Sequence, residues 1–186
     1  MVMAQTPVSP RRHVALIGLM GVGKTAVGAA VGRRTGRRHI DLDRAVTQLA
    51  GRSIGVIFHE SGEQAFRDLE AECLALHLTL EDPLVLSTGG GVLGREENRE
   101  ALAAATVVWL RASTSTLAAR VGDGAGRPLL ADDDPVAVIE RLVVERVPAY
   151  KAAADFVVDT DDRTVDEVAD AVIEALWELE PVGGAR

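Results

Sequence analysis

A parallel α/β sheet covered by helices on both faces is the fold class that this 186-residue chain predicts. Two observations carry the reading. Five short apolar runs alternate with segments of helical periodicity, and nothing in the chain repeats. Strands that read as continuous apolar runs are those buried on both faces, as in parallel sheets. With 47% apolar residues the chain can bury a real core, and its length suits one domain rather than two.

The elements follow in order. His13 to Ile17 (HVALI) is the first strand, and Lys24 to about Arg34 the first helix. A brief strand around Ile40 ends at Asp41, and Asp43 to Ala50 is helical, with Asp43 expected as its N-cap. Ser53 to His59 adds a further helical turn or two, closed by Ser61-Gly62; Glu63 to Leu80 is a long helix stopped by Asp82-Pro83. Leu84 to Ser87 is a strand running into Thr88-Gly89-Gly90-Gly91. Glu96 to Ala104 is helical, Thr106 to Leu110 a strand, and Ser113 caps the next helix. Gly122 to Asp134 reads as a loop, Pro135 to about Tyr150 as a helix, Phe156 to Val158 as the last strand and Thr164 to Leu179 as the closing helix. Residues 1–11 and 181–186 are expected to be tails.

Composition removes several function classes. A net charge of −8 disfavours nucleic acid and anionic membrane as partners, and no apolar run approaches spanning length. The single cysteine, Cys73, builds neither a disulfide nor a thiolate metal site, so a reducing, cytoplasmic setting is expected. Only Lys24 and Lys151 are lysines among 20 basic residues, which draws attention to the position of each.

Lys24 falls in GLMGVGKT, Gly18 to Thr25, which fits G-x-x-x-x-G-K-[ST] at every fixed position. The motif lies between a strand and a helix, as its chemistry requires. Glycines let backbone N–H groups converge on phosphate oxygens, and the helix N-terminus adds its dipole. Lys24 then reaches the β- and γ-phosphates, and the Thr25 hydroxyl can hold Mg²⁺. A rival pattern, G-x-G-x-x-A over Gly21, Val22, Gly23, Lys24, Thr25 and Ala26, would mean a dinucleotide site. It puts its first glycine three residues past the strand end and leaves the lysine unexplained.

A nucleotide site for transfer needs a metal partner and an acceptor. In HIDLD, Asp41 and Asp43 share a face if the chain is extended. Asp41 can serve Mg²⁺, directly or through water, and Asp43 can accept from acceptor hydroxyls and take the attacking proton. The bland alternative is a strand-end acid and a helix cap. Arg67, with Glu63 and Glu70 nearby in sequence, reads as a salt-bridged surface face, and Arg146 as a cation near a helix end. Arg127, alone in the Gly-rich GDGAGRPLL, suits a lid closing on phosphate. Gly89, Gly90 and Gly91 can present backbone donors to a ligand.

With these residues in place the chain resembles the shikimate kinase family from about Arg12 to Leu179, through GLMGVGKT, IDLD, SGEQAFRDLE, LSTGGG, GRPLL and RVPAY in that order. The resemblance implies a P-loop nucleoside-monophosphate-kinase-like fold over residues 12–180, with five parallel strands, a lid at about 122–134 and a substrate-binding subdomain. It implies transfer of the ATP γ-phosphate to the 3-hydroxyl of shikimate with Mg²⁺, in the chorismate pathway of aromatic amino-acid biosynthesis; a monomer is expected separately, because one domain closes its own core and lid motion needs free surface. By matching position, Asp43 would bind shikimate hydroxyls and act as base. Arg67 and Arg146 would clamp the carboxylate beside Gly89, Gly90 and Gly91. Thr25 and Asp41 would serve the metal. Arg127 and Arg120 would contact the phosphates, Arg163 would lie near the adenine, and Phe58 and Phe66 would wall the acceptor pocket. The chain departs from the pattern at Val22, where Ser is common, and at Ala26, where Thr is common. A kinase of another small polyol acid, such as gluconate, and a catalytically silent nucleotide-binding module are the competing functions.

Overall fold

The computed structural model of the chain describes residues 12–122 and 134–178. The expected tails, the lid and Arg127 lie outside the described residues.

Five strands form one sheet: β1 (Val14–Ile17), β2 (Arg38–Asp41), β3 (Leu84–Ser87), β4 (Thr106–Arg111) and β5 (Phe156–Asp159). Their order is β2-β3-β1-β4-β5, and every pairing is parallel. β1 and β3 are buried at every position, so both faces of the sheet centre are removed from water. Among the described residues seven α-helices connect and cover the strands: α1 (Lys24–Thr35), α2 (Leu42–Ala50), α3 (Ile54–Leu78), α4 (Glu96–Leu102), α5 (Thr114–Val121), α6 (Pro135–Ala153) and α7 (Val165–Glu178). α1 packs on α7, α5 on α6 and α2 on α3. β2 and β3 lie to one side of β1 and β4 and β5 to the other, and the crevice at such a switch point, outside the strand carboxyl ends, is where α/β sheets bind ligands.

Most boundaries agree with the sequence. Ser53 and Ser113 accept from Val56 N–H and Thr116 N–H as helix caps. The break expected at Ser61-Gly62 is present inside α3, where Gly62 takes φ 82°, ψ 171°.

Two expectations change. The cap of α2 is Asp41, whose Oδ1 accepts from Arg44 N–H at 3.1 Å; Asp43 sits in the first helical turn. The extended run thus stops at Asp41, because a strand-end carboxylate satisfies a free helix N–H at once. Arg146 is not near a helix end either: α6 continues through Pro148 to Ala153. Pro148 frees the carbonyl of Val144, four residues earlier, and Val144 is 79% exposed, so water can satisfy that carbonyl.

Candidate active site

The loop after β1 makes one wall of a cleft of about 480 Å³. Gly21 and Gly23 there take φ of 80° and 100°, values that side chains resist and that turn the loop back on itself before α1 begins. Gly21, Gly23, Lys24, Thr25 and Ala26 line the cleft. Val22 points inward and is buried, so any contact it makes with a ligand is through its backbone. Lys24 Nζ donates to the carbonyls of Gly18 at 2.8 Å and Leu19 at 3.0 Å, which holds its charge over the loop. The start of α1 is tied to β3, since Ser87 Oγ donates to the Lys24 carbonyl at 2.7 Å. His39 Nε2 lies 2.9 Å from the same hydroxyl.

Thr25 Oγ1 donates to Asp41 Oδ2 at 2.6 Å. One hydroxyl and one carboxylate meeting beside a phosphate loop fit a Mg²⁺ ion, which takes only one or two protein ligands and fills the rest with phosphate and water. Among the described residues no cluster of three or more His, Cys, Asp or Glu forms a self-sufficient metal site.

The opposite wall comes from α2, α3, the glycine loop after β3, and α6. Asp43, Phe58, Phe66, Arg67, Glu70, Gly89, Gly90, Gly91 and Arg146 all line it. Phe58 and Phe66 stack at a tilt with centroids 5.1 Å apart, giving an apolar floor beside the polar groups. Gly90 is where the walls meet. A Cβ there would lie 3.3 Å from Arg146 Nη1 and 3.6 Å from the Met20 backbone nitrogen.

Arg67 is not on a solvated face. Its side chain is 14% exposed, bound by Glu63 Oε1 at 2.9 Å and by Glu70 Oε2 at 2.8 Å. Glu70 is fully buried, and its Oε1 has no hydrogen-bond partner. Burial pushes the Glu70 carboxyl above the ordinary range, against the pull of Arg67. Asp43 is raised too, first by burial and then by the charge of Asp41, with Lys24 and Arg67 opposing. A carboxylate on the cleft wall, raised by desolvation and held near two cations, is the usual setting of a general base.

The shikimate kinase family profile matches residues 20–177 of the chain. The chain belongs to the shikimate kinase family. A shikimate kinase of Chromobacterium violaceum is 43% identical over 162 residues, 87% of this chain and 88% of that protein. A shikimate kinase from Acinetobacter baumannii, solved in complex with shikimate, superposes with a TM-score of 0.87 at 30% identity, covering 90% of this chain and 94% of that one. A gluconokinase from Sinorhizobium meliloti superposes at 0.63 with 19% identity over 91% and 93% of the two chains, a likeness of fold alone. The fold is the P-loop, nucleoside-monophosphate-kinase-like one. The activity is that of a shikimate kinase, an ATP-dependent phosphotransferase with an alcohol acceptor.

Within this kinase the residues expected from sequence gather at one cleft, with two exceptions among the described positions. Val22 is turned inward, and Arg163 lies on the surface, donating to the carbonyls of Asp159 and Glu167 and not lining the cleft. Arg120 does line it, and its guanidinium is held by the Thr160 hydroxyl at 2.9 Å and carbonyl at 2.7 Å. Glu70 is the site residue that sequence reasoning passed over. Its signals were the three-residue spacing from Arg67, which reads equally well as a surface ion pair, and its place at the end of the SGEQAFRDLE stretch.

Proposed function

We propose that the chain phosphorylates the 3-hydroxyl of shikimate, with Asp43 as base and Arg67 and Arg146 as the carboxylate clamp. The observation that carries the reading is the placement of one high-titrating carboxylate and two partly buried arginines opposite the phosphate loop. Shikimate offers one carboxylate and three hydroxyls, which two guanidinium groups and an acid complement. The Acinetobacter relative's complex with shikimate supports the same acceptor here.

The acceptor binds with its carboxylate between Arg67 and Arg146 and its ring over Phe58 and Phe66. Glu70 fixes Arg67 from behind, so the guanidinium is preset rather than ordered on binding. The 3-hydroxyl oxygen attacks the γ-phosphorus of ATP as the bond to the β-bridging oxygen breaks. Its proton passes to Asp43, and ADP leaves with the transferred charge stabilised by Lys24 and the loop N–H groups. Thr25 and Asp41 would hold Mg²⁺, which would supply positive charge against the phosphates. Arg120, which lines the cleft, reaches the phosphates within a single kinase domain; Arg127 and the lid expected at about 122–134 lie outside the described residues. We place the enzyme in the cytoplasm as a monomer, where ATP is supplied; no described helix is long and apolar enough to cross a membrane.

A coupled ADP-release assay with shikimate, gluconate, quinate and no acceptor tests the substrate. Turnover only with shikimate is expected, and preference for gluconate would overturn the assignment. Arg67→Ala and Arg146→Ala should each raise the shikimate KM well over tenfold with little change in the ATP KM, since truncating one partner of a buried charged pair costs about 2–5 kcal/mol. Equal effects on both substrates would make the arginines supports of the fold.

A further inference from the structure

Behind the arginine pair is a second hollow of about 180 Å³, which shares Arg67, Gly90, Gly91 and Arg146 with the main cleft and adds Tyr150. Tyr150 is four residues after Arg146 on α6 and therefore on the same helix face. It is 1% exposed. Its ring packs against Trp109 of β4, with centroids 5.9 Å apart. Its hydroxyl does something separate: it donates to the carbonyl of Gly90, in the glycine loop that walls the acceptor site.

A buried phenol needs an acceptor, and any backbone carbonyl would serve. The one used here belongs to the loop residue whose Cα faces Arg146, with room for a Cβ at only 3.3 Å from Nη1. A loop displaced by a few tenths of an ångström would therefore change the space that Arg146 occupies. The Arg146 guanidinium also faces the phenol oxygen and opposes the rise that burial causes, which carries the phenol up to about 12. At working pH the phenol is neutral, with its O–H donated to the Gly90 carbonyl and its lone pairs available to the guanidinium.

We propose that the Tyr150 hydroxyl is a positioning group for the acceptor: it ties the Gly90 carbonyl to Arg146, so that the glycine loop and the carboxylate-binding arginine form one preset unit. The inference rests on the reading of Arg146 as part of the clamp. The ring holds α6 on β4, and the hydroxyl sets the site.

Tyr150→Phe separates the two roles, because it keeps the ring against Trp109. Kinetics with each substrate varied, at a temperature well below the measured Tm of the variant, should show the shikimate KM raised by about tenfold, the cost of one hydrogen bond. The ATP KM and kcat should stay within about twofold. An unchanged shikimate KM, or both KM values rising together, would overturn the proposal. Arg146→Ala is measured alongside. If it leaves the shikimate KM unchanged, the clamp reading fails. If it raises that KM and Tyr150→Phe does not, the positioning role alone fails. In the double variant the Tyr150→Phe effect should largely vanish, since the group it positions is gone; full additivity would overturn the coupling.

Discussion

Gly91→Ala is a perturbation whose size can be worked from the geometry. Gly91 has φ −101° and ψ 7°, a conformation open to alanine, so backbone strain is not at issue. The methyl group is the whole perturbation. Its carbon would lie 2.5 Å from Arg67 Nη2 and 2.8 Å from both Cζ and Nη1. Ordinary contact begins near 3.4 Å, so the guanidinium must retreat by about 0.9 Å. It cannot do so freely, because Glu63 and Glu70 hold it at 2.9 and 2.8 Å and Glu70 is fully buried. A shift of that size loosens the Arg67–Glu70 bond, at a cost of about 1–3 kcal/mol for a buried group left poorly paired. It also misplaces one arm of the clamp, and about 1 Å of misplacement can cost roughly 10²-fold. The expected result is a shikimate kcat/KM lowered by about 10–10²-fold, carried mostly by KM, with the ATP KM nearly unchanged. Gly94→Ala, where an added Cβ meets nothing within 4 Å, is the control and should behave as the parent. Steady-state kinetics with each substrate varied, and thermal melts, check both. A Gly91→Ala enzyme with an unaltered shikimate KM would refute the claim that Arg67 is held immobile at the acceptor site.

Lys24→Met should lower turnover by orders of magnitude while leaving the melting curve close to the parent's, because the side chain at the start of α1 lies over the preceding loop rather than in the core and serves the transferring phosphoryl. Asp43→Asn should lower kcat by roughly 10²–10⁴-fold with modest loss of shikimate affinity by calorimetry. The same variant should melt higher than the parent at about pH 8. The Asp43 carboxyl titrates above its ordinary range through burial and Asp41, so its favourable contribution to folding is complete below the unfolded-state pKa and is lost as pH rises through the folded one. The gap in Tm should therefore narrow on acidification, and a variant destabilised at every pH would contradict this. Asp41→Asn should weaken Mg²⁺ dependence and be partly rescued by added Mg²⁺ in the coupled assay, whereas Asp43→Asn should not.

Much of this was legible along the chain, and for one reason. The phosphate loop, the strand-helix alternation, the Ser53 and Ser113 caps and the break at Gly62 are local, set by residues a few positions apart. The family motifs likewise named most of the cleft. What the chain order did not settle is which faces of separate elements meet. The pattern around Arg67 was the same whether α3 faced water or the cleft, and only packing against the glycine loop buries Glu70 and leaves its Oε1 unpaired. The HIDLD pair read as one extended face, yet the free N–H of Arg44 draws Asp41 into the helix cap and turns Asp43 into the first turn of α2. Tyr150 read as the last residue of a helix, and nothing nearby in sequence indicates that its hydroxyl reaches Gly90, 60 residues away. Periodicity determines which side chains share one surface of an element; the partner of that surface is chosen by the docking of whole elements, where burial and long-range hydrogen bonds decide together.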